Sequence, residues 1–469
     1  MVSSIHRKQL QGLIQKHQVN GPRYTSYPSA LQFSDKFTDQ DYLSHVDTSN
    51  QFVVPKPLSV YIHIPFCASL CYYCGCNKVV SRKEGIANDY LEYLYKEIEL
   101  QSALYEDDRL LEQIHFGGGT PTYLSPTQLE ELLDVLAQHF HLALPNKLEL
   151  SIEVDPRSVS AQSIAEIIAL GFNRISIGVQ DFDPEVQVAI NRVQSKEQVT
   201  SVIDVARRQG VKSVSLDLIY GLPRQTKQSF QQTIDEVIAI KPARISLYHY
   251  AHMPNQINSQ RLIDESTLPS SSEKIAMFSA TIDQLLDAGY VYIGMDHFAL
   301  ADDTLAQARE NGGLHRNFQG YSTHAECDII GLGVSAISHV NDSFSQNTKS
   351  ISTYKSLLAK AKLPIEKGIS LNEDDQLRAE VIQRLMCDGG VDFAQIEEQY
   401  HIEFNVYFHK ELLSLASFEA DDLVQLSKSG FKVTERGRFF LRNIAMLFDV
   451  YLPSIGLQQV RHSSYSKTL

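Results

Sequence analysis

The sequence SVYIHIPFCASLCYYCGCNK, residues 59–78, joins an alternating apolar run to a loop with four of the six cysteines of the chain. The apolar run is typical of a buried strand. Cys67, Cys71 and Cys74 are separated by three and two residues, and Cys76 follows after one more residue. One loop therefore brings four thiols together.

Three thiolates from a single loop suit an open iron–sulfur site. They hold three irons of a [4Fe–4S] cluster and leave the fourth iron for an outside ligand. Zinc is an alternative, but ligands spaced this closely in one short loop can hardly surround a tetrahedral ion. Disulfides are disfavoured, because six cysteines in 469 residues without a secretion signal indicate a reduced protein. We therefore interpret Cys67, Cys71 and Cys74 as ligands of a catalytic cluster.

The composition, with 43% hydrophobic and 21% charged residues, is typical of a globular protein, and 469 residues predict two or three domains. The 42 Lys and Arg against 56 Asp and Glu give a net charge of −14, which disfavours nucleic acids and anionic membranes as partners. No stretch has the eighteen or so apolar residues of a membrane helix, and residues 1–17 lack the apolar core of a signal peptide. We expect a cytoplasmic protein with no membrane span and no nucleic-acid partner.

From residue 59 to about residue 299, strand-like and helix-like segments alternate. Such repeats predict a parallel sheet, either a barrel or an open sheet, with function on the loops after the C-terminal ends of the strands. The predicted strands are residues 60–64, 114–116, 148–154, 174–179, 213–219, 245–250 and 291–295.

Candidate site residues follow these strands. The cysteine loop follows the first strand, a Gly117-Gly118-Gly119 triplet follows the second, and the third, fourth and fifth carry Glu153, Gln180 and Asp217 towards their ends. A glycine triplet lets backbone groups approach a ligand without an intervening side chain. These strand ends are expected to form one mouth of the sheet. A zwitterionic, ribose-bearing cosubstrate could bind there to a carboxylate, an amide and an arginine such as Arg192. Alternatively, the carboxylates cap helices and the arginine forms a surface ion pair.

Several motifs together resemble a known family. Cys67, Cys71 and Cys74, with Tyr73 before the third cysteine, resemble the signature of radical S-adenosylmethionine (SAM) enzymes. The chain is similar to one branch, the oxygen-independent coproporphyrinogen III oxidases, from Gly21 to Tyr451. The similar motifs are GPRYTSYP (21–28), GCNK (75–78), SIEVDPR (151–157), GVQDF (178–182), NRVQ (191–194), DLIYGLPRQT (217–226) and HRNFQGY (315–321).

The resemblance implies an α/β fold: an incomplete parallel (β/α) barrel of the radical SAM type. It implies an N-terminal extension over the barrel mouth (1–50), the barrel (51–340) and a smaller, mostly helical lid domain (341–469). The lid is expected to be winged-helix-like, because a helical stripe at Leu377, Val381 and Leu385 precedes a hairpin strand at 430–434 and a helix from Glu435.

The resemblance also implies cofactors and site residues: a [4Fe–4S] cluster on Cys67, Cys71 and Cys74, and two SAM molecules. The SAM that chelates the cluster is expected to contact Tyr61, Gly118, Glu153 and Ile337. The second SAM is expected to contact Tyr73, Gly119, Thr120, Gln180, Arg192, Asp217 and Ala251. The residues expected to act in catalysis are Tyr61, Glu153, Phe318, Gln319 and Ile337.

The remaining candidates are weaker. Arg23 is either a ligand of a substrate carboxylate or a solvated arginine. We expect His297 and His315 to be hydrogen-bonded structural residues rather than acids or bases, and Cys327 and Cys387 to be buried thiols.

The activity implied is the conversion of two propionate side chains of coproporphyrinogen III into vinyl groups, giving protoporphyrinogen IX. The hydrogen β to a carboxylate is too weakly acidic for a side-chain base, so a 5′-deoxyadenosyl radical from SAM removes it. The implied partner is a small electron-transfer protein such as a flavodoxin or ferredoxin, and we expect a monomer. A haem-binding chaperone and an anaerobic haem-modifying radical enzyme remain alternatives. Cys76 and residues 21–28 favour the oxidase over the chaperone.

Overall fold

The computed structural model of the protein describes residues 12–13, 16–17, 19–83, 85–452, 465 and 468. The expectation for residues 1–17, that they lack a signal peptide, falls mostly outside this part of the chain, as do the outer ends of the two predicted terminal domains. None of the described helices combines the length and apolar character that a membrane crossing requires.

Most of the described strands belong to one sheet. In chain order the strands are β1 (Leu58–Ile64), β2 (Phe66–Cys67), β3 (Val79–Val80), β4 (Leu111–Gly118), β5 (Glu149–Val154), β6 (Arg174–Gln180), β7 (Ser213–Tyr220), β8 (Arg244–His249), β9 (Tyr290–Gly294), β10 (His297–Leu300), β11 (His315–Asn317), β12 (Gly320–Ser322), β13 (Asp328–Leu332), β14 (Ile337–Val340), β15 (Ser343–Asn347), β16 (Ile365–Ser370), β17 (Gly390–Asp392), β18 (Val424–Leu426) and β19 (Gly430–Val433).

A twelve-stranded sheet has a parallel centre. Its strands β13, β1, β4, β5, β6, β7 and β8 lie side by side in this order and run parallel. β10 and β9 extend one edge, and the antiparallel strands β14, β15 and β16 extend the other. Among the described residues no pairing of β9 with β16 closes the sheet, so the barrel is incomplete, which confirms the predicted fold class. The C-terminal ends of the parallel strands form one mouth.

The seventh predicted strand corresponds to β9, but its place in a continuous parallel series was wrong. Only Met295 and Asp296 join β9 to β10, and Met295 has a φ of +49°. Such a two-residue connection forms an antiparallel hairpin, so β10 and not β9 pairs with β8. The strands β13 to β16 were not predicted from the sequence, because they are four to six residues long and several carry polar residues.

Helices connect the parallel strands. In chain order the α-helices are α1 (Asp39–Asn50), α2 (Ile86–Ser102), α3 (Pro126–His139), α4 (Ala161–Ala169), α5 (Pro184–Ala189), α6 (Lys196–Arg208), α7 (Lys227–Ile240), α8 (Ser271–Asp287), α9 (Thr304–Glu310), α10 (Ile351–Leu358), α11 (Glu373–Asp388), α12 (Phe393–Tyr400), α13 (Phe404–Tyr407), α14 (His409–Ala420) and α15 (Leu441–Ala445). Helices α3, α4, α6, α7 and α8 each begin after a Ser or Thr that forms a capping box. The side chains Leu129, Leu132 and Leu136 of α3 are buried in the same core as the sheet, and Leu133 packs against this core.

The C-terminal part has its own apolar core. The helices from α11 onwards surround a small sheet of order β17-β19-β18, and the predicted stripe on α11 is buried. The predicted strand at 430–434 is β19, but the helix expected from Glu435 starts at Gly437 with a short 3-10 turn, Gly437–Phe440. Thr434 Oγ1 accepts a hydrogen bond from the Gly437 N–H at 2.9 Å, which makes this first turn tight. Tyr24 and Tyr27 pack in this core, so the N-terminal segment contacts the C-terminal part.

A fully buried carboxylate ties α2 to the loop after β13. Glu97 accepts hydrogen bonds from the Gly333 N–H at 2.7 Å, the Asn347 amide at 2.6 Å and the Tyr354 hydroxyl at 2.6 Å. Burial raises the pKa of Glu97 to about 7, although these three donors act against the increase. The loop that leads to β14 therefore depends on one side chain from a distant helix.

Replacing Glu97 with alanine is expected to lower the free energy of unfolding by about 3 kcal/mol, because three buried donors lose their acceptor. Denaturant unfolding measures this loss. The matched control is Glu92→Ala, which removes an exposed glutamate from the same helix. Equal stability of the two variants would show that the network contributes little.

Candidate active site at the barrel mouth

The cysteine loop begins after β1, and the short parallel pair of β2 and β3 closes its base. The Ser81 N–H donates to the Cys67 carbonyl oxygen at 3.0 Å across this base. Cys67 and Cys71 are each 8% exposed, Cys74 is half-buried and Cys76 is exposed. Cys76 therefore differs from the three predicted ligands in lying at the surface.

The segment after α5 holds the middle of the loop. The Asn191 side-chain amide donates to the Leu70 carbonyl oxygen at 2.7 Å, and the Tyr72 N–H donates to the Ile190 carbonyl oxygen at 3.0 Å. Asn191 has a φ of +53°, a conformation that asparagine tolerates better than most residues. These bonds place the next residue, Arg192, beside the loop.

Polar donors surround the buried sulfurs. Thr120 Oγ1 lies 3.4 Å from Cys67 Sγ, whereas Arg157 Nη2 and Arg192 Nη1 lie 3.4 and 3.6 Å from Cys71 Sγ. Burial raises the pKa of the Cys67 thiol, so its thiolate form requires compensating positive charge. The iron atoms of a cluster would supply that charge, and the spacing and donors of the loop fit such a group.

The glycine triplet lies against the start of the cysteine loop. Gly118 has a φ of +113°, and a β-carbon on it would lie 2.7 Å from His63 Cε1. A β-carbon on Gly119 would lie 2.8 Å from the Pro65 carbonyl carbon. Packing against β1 and against the residues that follow it therefore requires glycine at both positions. The sequence predicts that a ligand approaches the backbone here.

Glu153, near the end of β5, is open to the mouth. Its side chain is 43% exposed, and it accepts a hydrogen bond from the Gly118 N–H at 3.3 Å. His115 Nε2 lies 3.4 Å from Glu153 Oε1, and the His115 ring stacks on Tyr61 with 5.8 Å between the ring centres. The strands β1, β4 and β5 therefore bring Tyr61, Gly118 and Glu153 together, as the sequence predicts.

Asp217 lies deeper in the barrel. Burial raises its pKa to about 6, against the effect of the Ser176 hydroxyl, which donates to Asp217 Oδ2 at 2.8 Å. Asp217, Glu153, Ser176 and Gln319 line one polar cavity of about 140 Å³ inside the barrel. A polar ligand at the mouth thus meets two carboxylates at different depths, the open Glu153 and the deeper Asp217.

The structure separates Phe318 from Gln319, which the sequence analysis placed at one mouth. They form the turn between β11 and β12. Gln319 lines the cavity that contains Glu153, and its Nε2 atom is buried without a hydrogen-bond partner in the described part of the chain. Phe318 instead lines a second cavity of about 250 Å³ and packs edge-to-face on Phe344 at 5.8 Å.

Ile337, at the start of β14, is aligned with Tyr61 across the sheet. Tyr61 is paired with Gly331 of β13, and a β-carbon on Gly331 would overlap the Ile337 backbone. Tyr61, Gly331 and Ile337 therefore form one row over three neighbouring strands.

Hydrogen bonds fix several of the residues expected around a second SAM. Gln260, which the sequence analysis did not identify, donates its amide to the carbonyl oxygens of Tyr73 at 2.9 Å and Ala251 at 3.0 Å. Gln180, the last residue of β6, is buried. Its φ of +67° is unusual for a residue other than glycine. Arg192 donates to the Gly178 carbonyl oxygen at 2.6 Å.

Sequence reasoning also missed the roles of Asp155 and Arg157, although it quoted their motif. Asp155 follows β5, and its carboxylate accepts hydrogen bonds from Arg157 at 2.7 Å and Arg192 at 3.0 Å. The sequence signal that could have revealed these roles is Asp155-Pro156-Arg157 directly after a strand. This order is typical of a turn that its own side chains stabilise.

The weaker candidates have structural partners. His297 Nδ1 lies 2.8 Å from Asp296, and burial lowers the pKa of His315 to about 4. Arg23 donates to the His249 carbonyl oxygen at 2.8 Å and lies 4.0 Å from Asp296.

The two cysteines outside the loop, Cys327 and Cys387, are buried as predicted. Cys327, Glu112 and His324 have potential metal-ligating atoms within 4.8 Å of one another. His324 lies 4.0 Å from Glu112 and 3.8 Å from Glu149, so its ring already has two carboxylate neighbours.

Comparison with known proteins agrees with this geometry. The Radical SAM superfamily matches residues 61–237, and the HemN C-terminal domain matches residues 371–440. The oxygen-independent coproporphyrinogen III oxidase of Pseudomonas aeruginosa is 47% identical over 447 residues, covering 95% of this chain and 97% of its own. The protein of the same name from Escherichia coli is 43% identical over 457 residues, covering 97% of this chain and 98% of its own.

The fold matches a solved structure over almost the whole chain. The structure of coproporphyrinogen III oxidase (HemN) from Escherichia coli, described as a radical SAM enzyme, superposes with a TM-score of 0.89 at 43% identity. The match covers 94% of this chain and 99% of that one. From the sequence identity, the coverage and the shared fold, the chain belongs to the family of oxygen-independent coproporphyrinogen III oxidases, which are radical SAM enzymes.

Proposed function

We propose that the chain converts two propionate side chains of coproporphyrinogen III into vinyl groups, giving protoporphyrinogen IX. The observation that carries this proposal is one barrel mouth that combines a three-cysteine loop with the exposed carboxylate of Glu153. Relatives that are 43% and 47% identical over nearly their whole length bear the name of this activity.

Cys67, Cys71 and Cys74 would hold the [4Fe–4S] cluster of this family. When bound, the cluster and SAM would supply the radical chemistry that removes a hydrogen atom from the propionate carbon β to the carboxylate. The chain itself positions the cosubstrate and substrate and keeps water out.

Two SAM molecules bind at the mouth in this proposal. His115 orients Glu153, whose free lone pairs accept hydrogen bonds from ribose hydroxyls. The first SAM contacts Tyr61, Gly118, Glu153 and Ile337. Gln319, which lines the same cavity as Glu153, orients the substrate or the methionyl end of SAM. The second SAM contacts Tyr73, Gly119, Thr120, Gln180, Arg192, Asp217 and Ala251.

The terminal segments cover the site. We assign residues 1–50 as the extension, 51–340 as the barrel and 341–469 as the lid. Support comes from the Tyr24 hydroxyl, which donates to Asp449 at 3.0 Å and so fastens the extension to the C-terminal part. Closure from both sides would exclude water and oxygen from a radical.

The electron donor is a small acidic protein of the flavodoxin or ferredoxin class. The residues that follow the cysteine loop include the exposed Arg82 and Lys83, and Arg82 donates to the Ala68 carbonyl oxygen at 3.2 Å. A basic edge beside the cluster suits an acidic partner. The enzyme acts as a cytoplasmic monomer.

Replacing Gln319 with alanine is expected to reduce turnover about a hundredfold while the melting temperature and the cluster absorbance stay unchanged. Gln319 lines the cavity, and its buried Nε2 atom has no hydrogen-bond partner in the described part of the chain. We therefore expect this amide to orient a ligand, and its removal to leave the ligand misplaced. Product assays and thermal melts measure the two effects. The control is Gln307→Ala, on the outer helix α9. If the variant lost activity only in proportion to its loss of folded protein, Gln319 would have a structural role and not a role in turnover.

Anaerobically reconstituted protein incubated with coproporphyrinogen III, SAM and a reductant tests the proposed function. We expect a product with two vinyl groups and 5′-deoxyadenosine. Stoichiometric haem binding without any vinyl product would contradict the proposal and favour a haem chaperone.

A further inference from the structure

Two guanidinium groups contact one sulfur of the cysteine loop. Arg157 Nη2 donates to Cys71 Sγ at 3.4 Å, and Arg192 Nη1 donates to the same atom at 3.6 Å. Their side chains are only 18% and 7% exposed, so solvent screens their charges weakly.

Cys67 instead receives a neutral hydroxyl donor, from Thr120. A further positive charge lies beside Cys74, whose carbonyl oxygen accepts from Lys78 Nζ at 2.7 Å. The two guanidinium contacts described here are made to Cys71.

One carboxylate fixes both arginines. Asp155 Oδ1 accepts from Arg157 Nε at 3.0 Å, and Asp155 Oδ2 accepts from Arg157 Nη2 at 2.7 Å and from Arg192 Nη1 at 3.0 Å. Two guanidinium charges and one carboxylate leave a net charge of +1 beside Cys71. The bidentate contact keeps the Arg157 side chain in one orientation, so its position relative to the sulfur is well defined.

We propose that the group of Asp155, Arg157 and Arg192 raises the reduction potential of the cluster held through Cys71, and that Arg157 is a tuning residue. One electron from an external donor makes the cluster more negative. Hydrogen bonds and positive charge at a ligand sulfur stabilise that reduced form, and the weakly screened surroundings strengthen the effect. No bond to Arg157 forms or breaks. This inference rests on the cluster assignment within the proposed function but not on the identity of the substrate.

The positive group beside Cys71 affects which electron donors can reduce the cluster. With the positive group in place, a moderate one-electron donor reduces the cluster. Without Arg157, the cluster demands a stronger donor, but once it is reduced it can still cleave SAM. Arg157 thus affects how easily the cluster accepts an electron more than the chemistry that follows.

The test is a potentiometric titration of the reconstituted Arg157→Gln enzyme, followed by electron paramagnetic resonance. We expect at least a tenfold lower ratio of reduced to oxidised cluster at a fixed potential, a shift of about 59 mV to more negative values for a one-electron couple. Arg157→Lys keeps the positive charge but loses the forked N–H donors of the guanidinium, so the shift of its reduction potential should be smaller. The matched control is Arg244→Gln, because Arg244 pairs with Asp303 at 2.9 Å at the other end of the strands and should leave the potential unchanged.

Iron and sulfide contents are measured first, to separate the possible failures. A wild-type protein without a cluster would overturn this inference together with the cluster assignment. A loaded Arg157→Gln enzyme with the wild-type potential would overturn the inference alone. If Arg157→Gln folds but holds no iron, Arg192→Gln is titrated instead, because Arg192 is the other guanidinium donor to Cys71 Sγ, and a wild-type potential there would overturn the inference. Retained SAM cleavage by Arg157→Gln with a strong titanium(III) reductant would support the tuning role.

Discussion

Serine in place of Cys67, Cys71 or Cys74 is expected to abolish the iron–sulfur absorbance and all SAM cleavage. Three thiolates are the minimum for a cluster with one open iron, and an alkoxide does not replace a thiolate in such a site. Each single variant should lose essentially all bound iron and sulfide, while its secondary structure remains, because the strands of the barrel do not depend on the loop. Metal analysis and circular dichroism of the anaerobically purified variants measure the two properties.

The matched control is Cys76→Ser, in the same loop. Cys76 is exposed, whereas Cys67 and Cys71 are buried, so its loss should leave the cluster in place. Cys387→Ser controls for the removal of a buried thiol far from the loop. An iron-free Cys76→Ser protein would show that the ligand set is wrong.

Replacing Glu153 with alanine is expected to preserve the cluster and to weaken SAM binding by about tenfold to a hundredfold, with a corresponding loss of SAM cleavage. A hydrogen bond to a charged acceptor contributes about 1.5–3 kcal/mol, and the open carboxylate of Glu153 has few protein donors to lose. Equilibrium binding of SAM to the reconstituted variant measures the affinity, and 5′-deoxyadenosine formation measures cleavage.

The control for Glu153 is Glu166→Ala, which removes an exposed carboxylate from α4. Its SAM affinity should equal that of the wild type. Normal SAM affinity and turnover in Glu153→Ala would remove Glu153 from the site.

The sequence predicted the parts of the site that depend on local patterns. The short spacing of Cys67, Cys71 and Cys74 keeps these predicted ligands within one loop. The alternation of strands and helices predicted the parallel direction of β1 and of β4 to β8. Glycine at positions 118 and 119 was recognised, and the structure adds a packing reason for both. These features need only neighbouring residues.

Contacts between distant segments could not be predicted in this way. Arg157 and Cys71 are 86 positions apart, and their contact depends on the turn at Asp155 and on the path of the loop. Phe318 and Gln319 are adjacent, yet the hairpin turn directs them into different cavities. The two-residue connection at Met295 places β10, and not β9, beside β8. The sequence did not show this, because the pattern of β9 alone contains no information about which strand it pairs with.

In the proposed reaction a hydrogen atom passes from the substrate to the 5′-deoxyadenosyl group of SAM, and one isotope measurement tests this transfer. Coproporphyrinogen III deuterated at the propionate carbons β to the carboxylates is incubated with the reconstituted enzyme, SAM and a reductant. We predict one deuterium in each 5′-deoxyadenosine formed during turnover, together with a vinyl-bearing product. Deuterium-free 5′-deoxyadenosine beside a vinyl product, or a vinyl product formed without SAM, would contradict it.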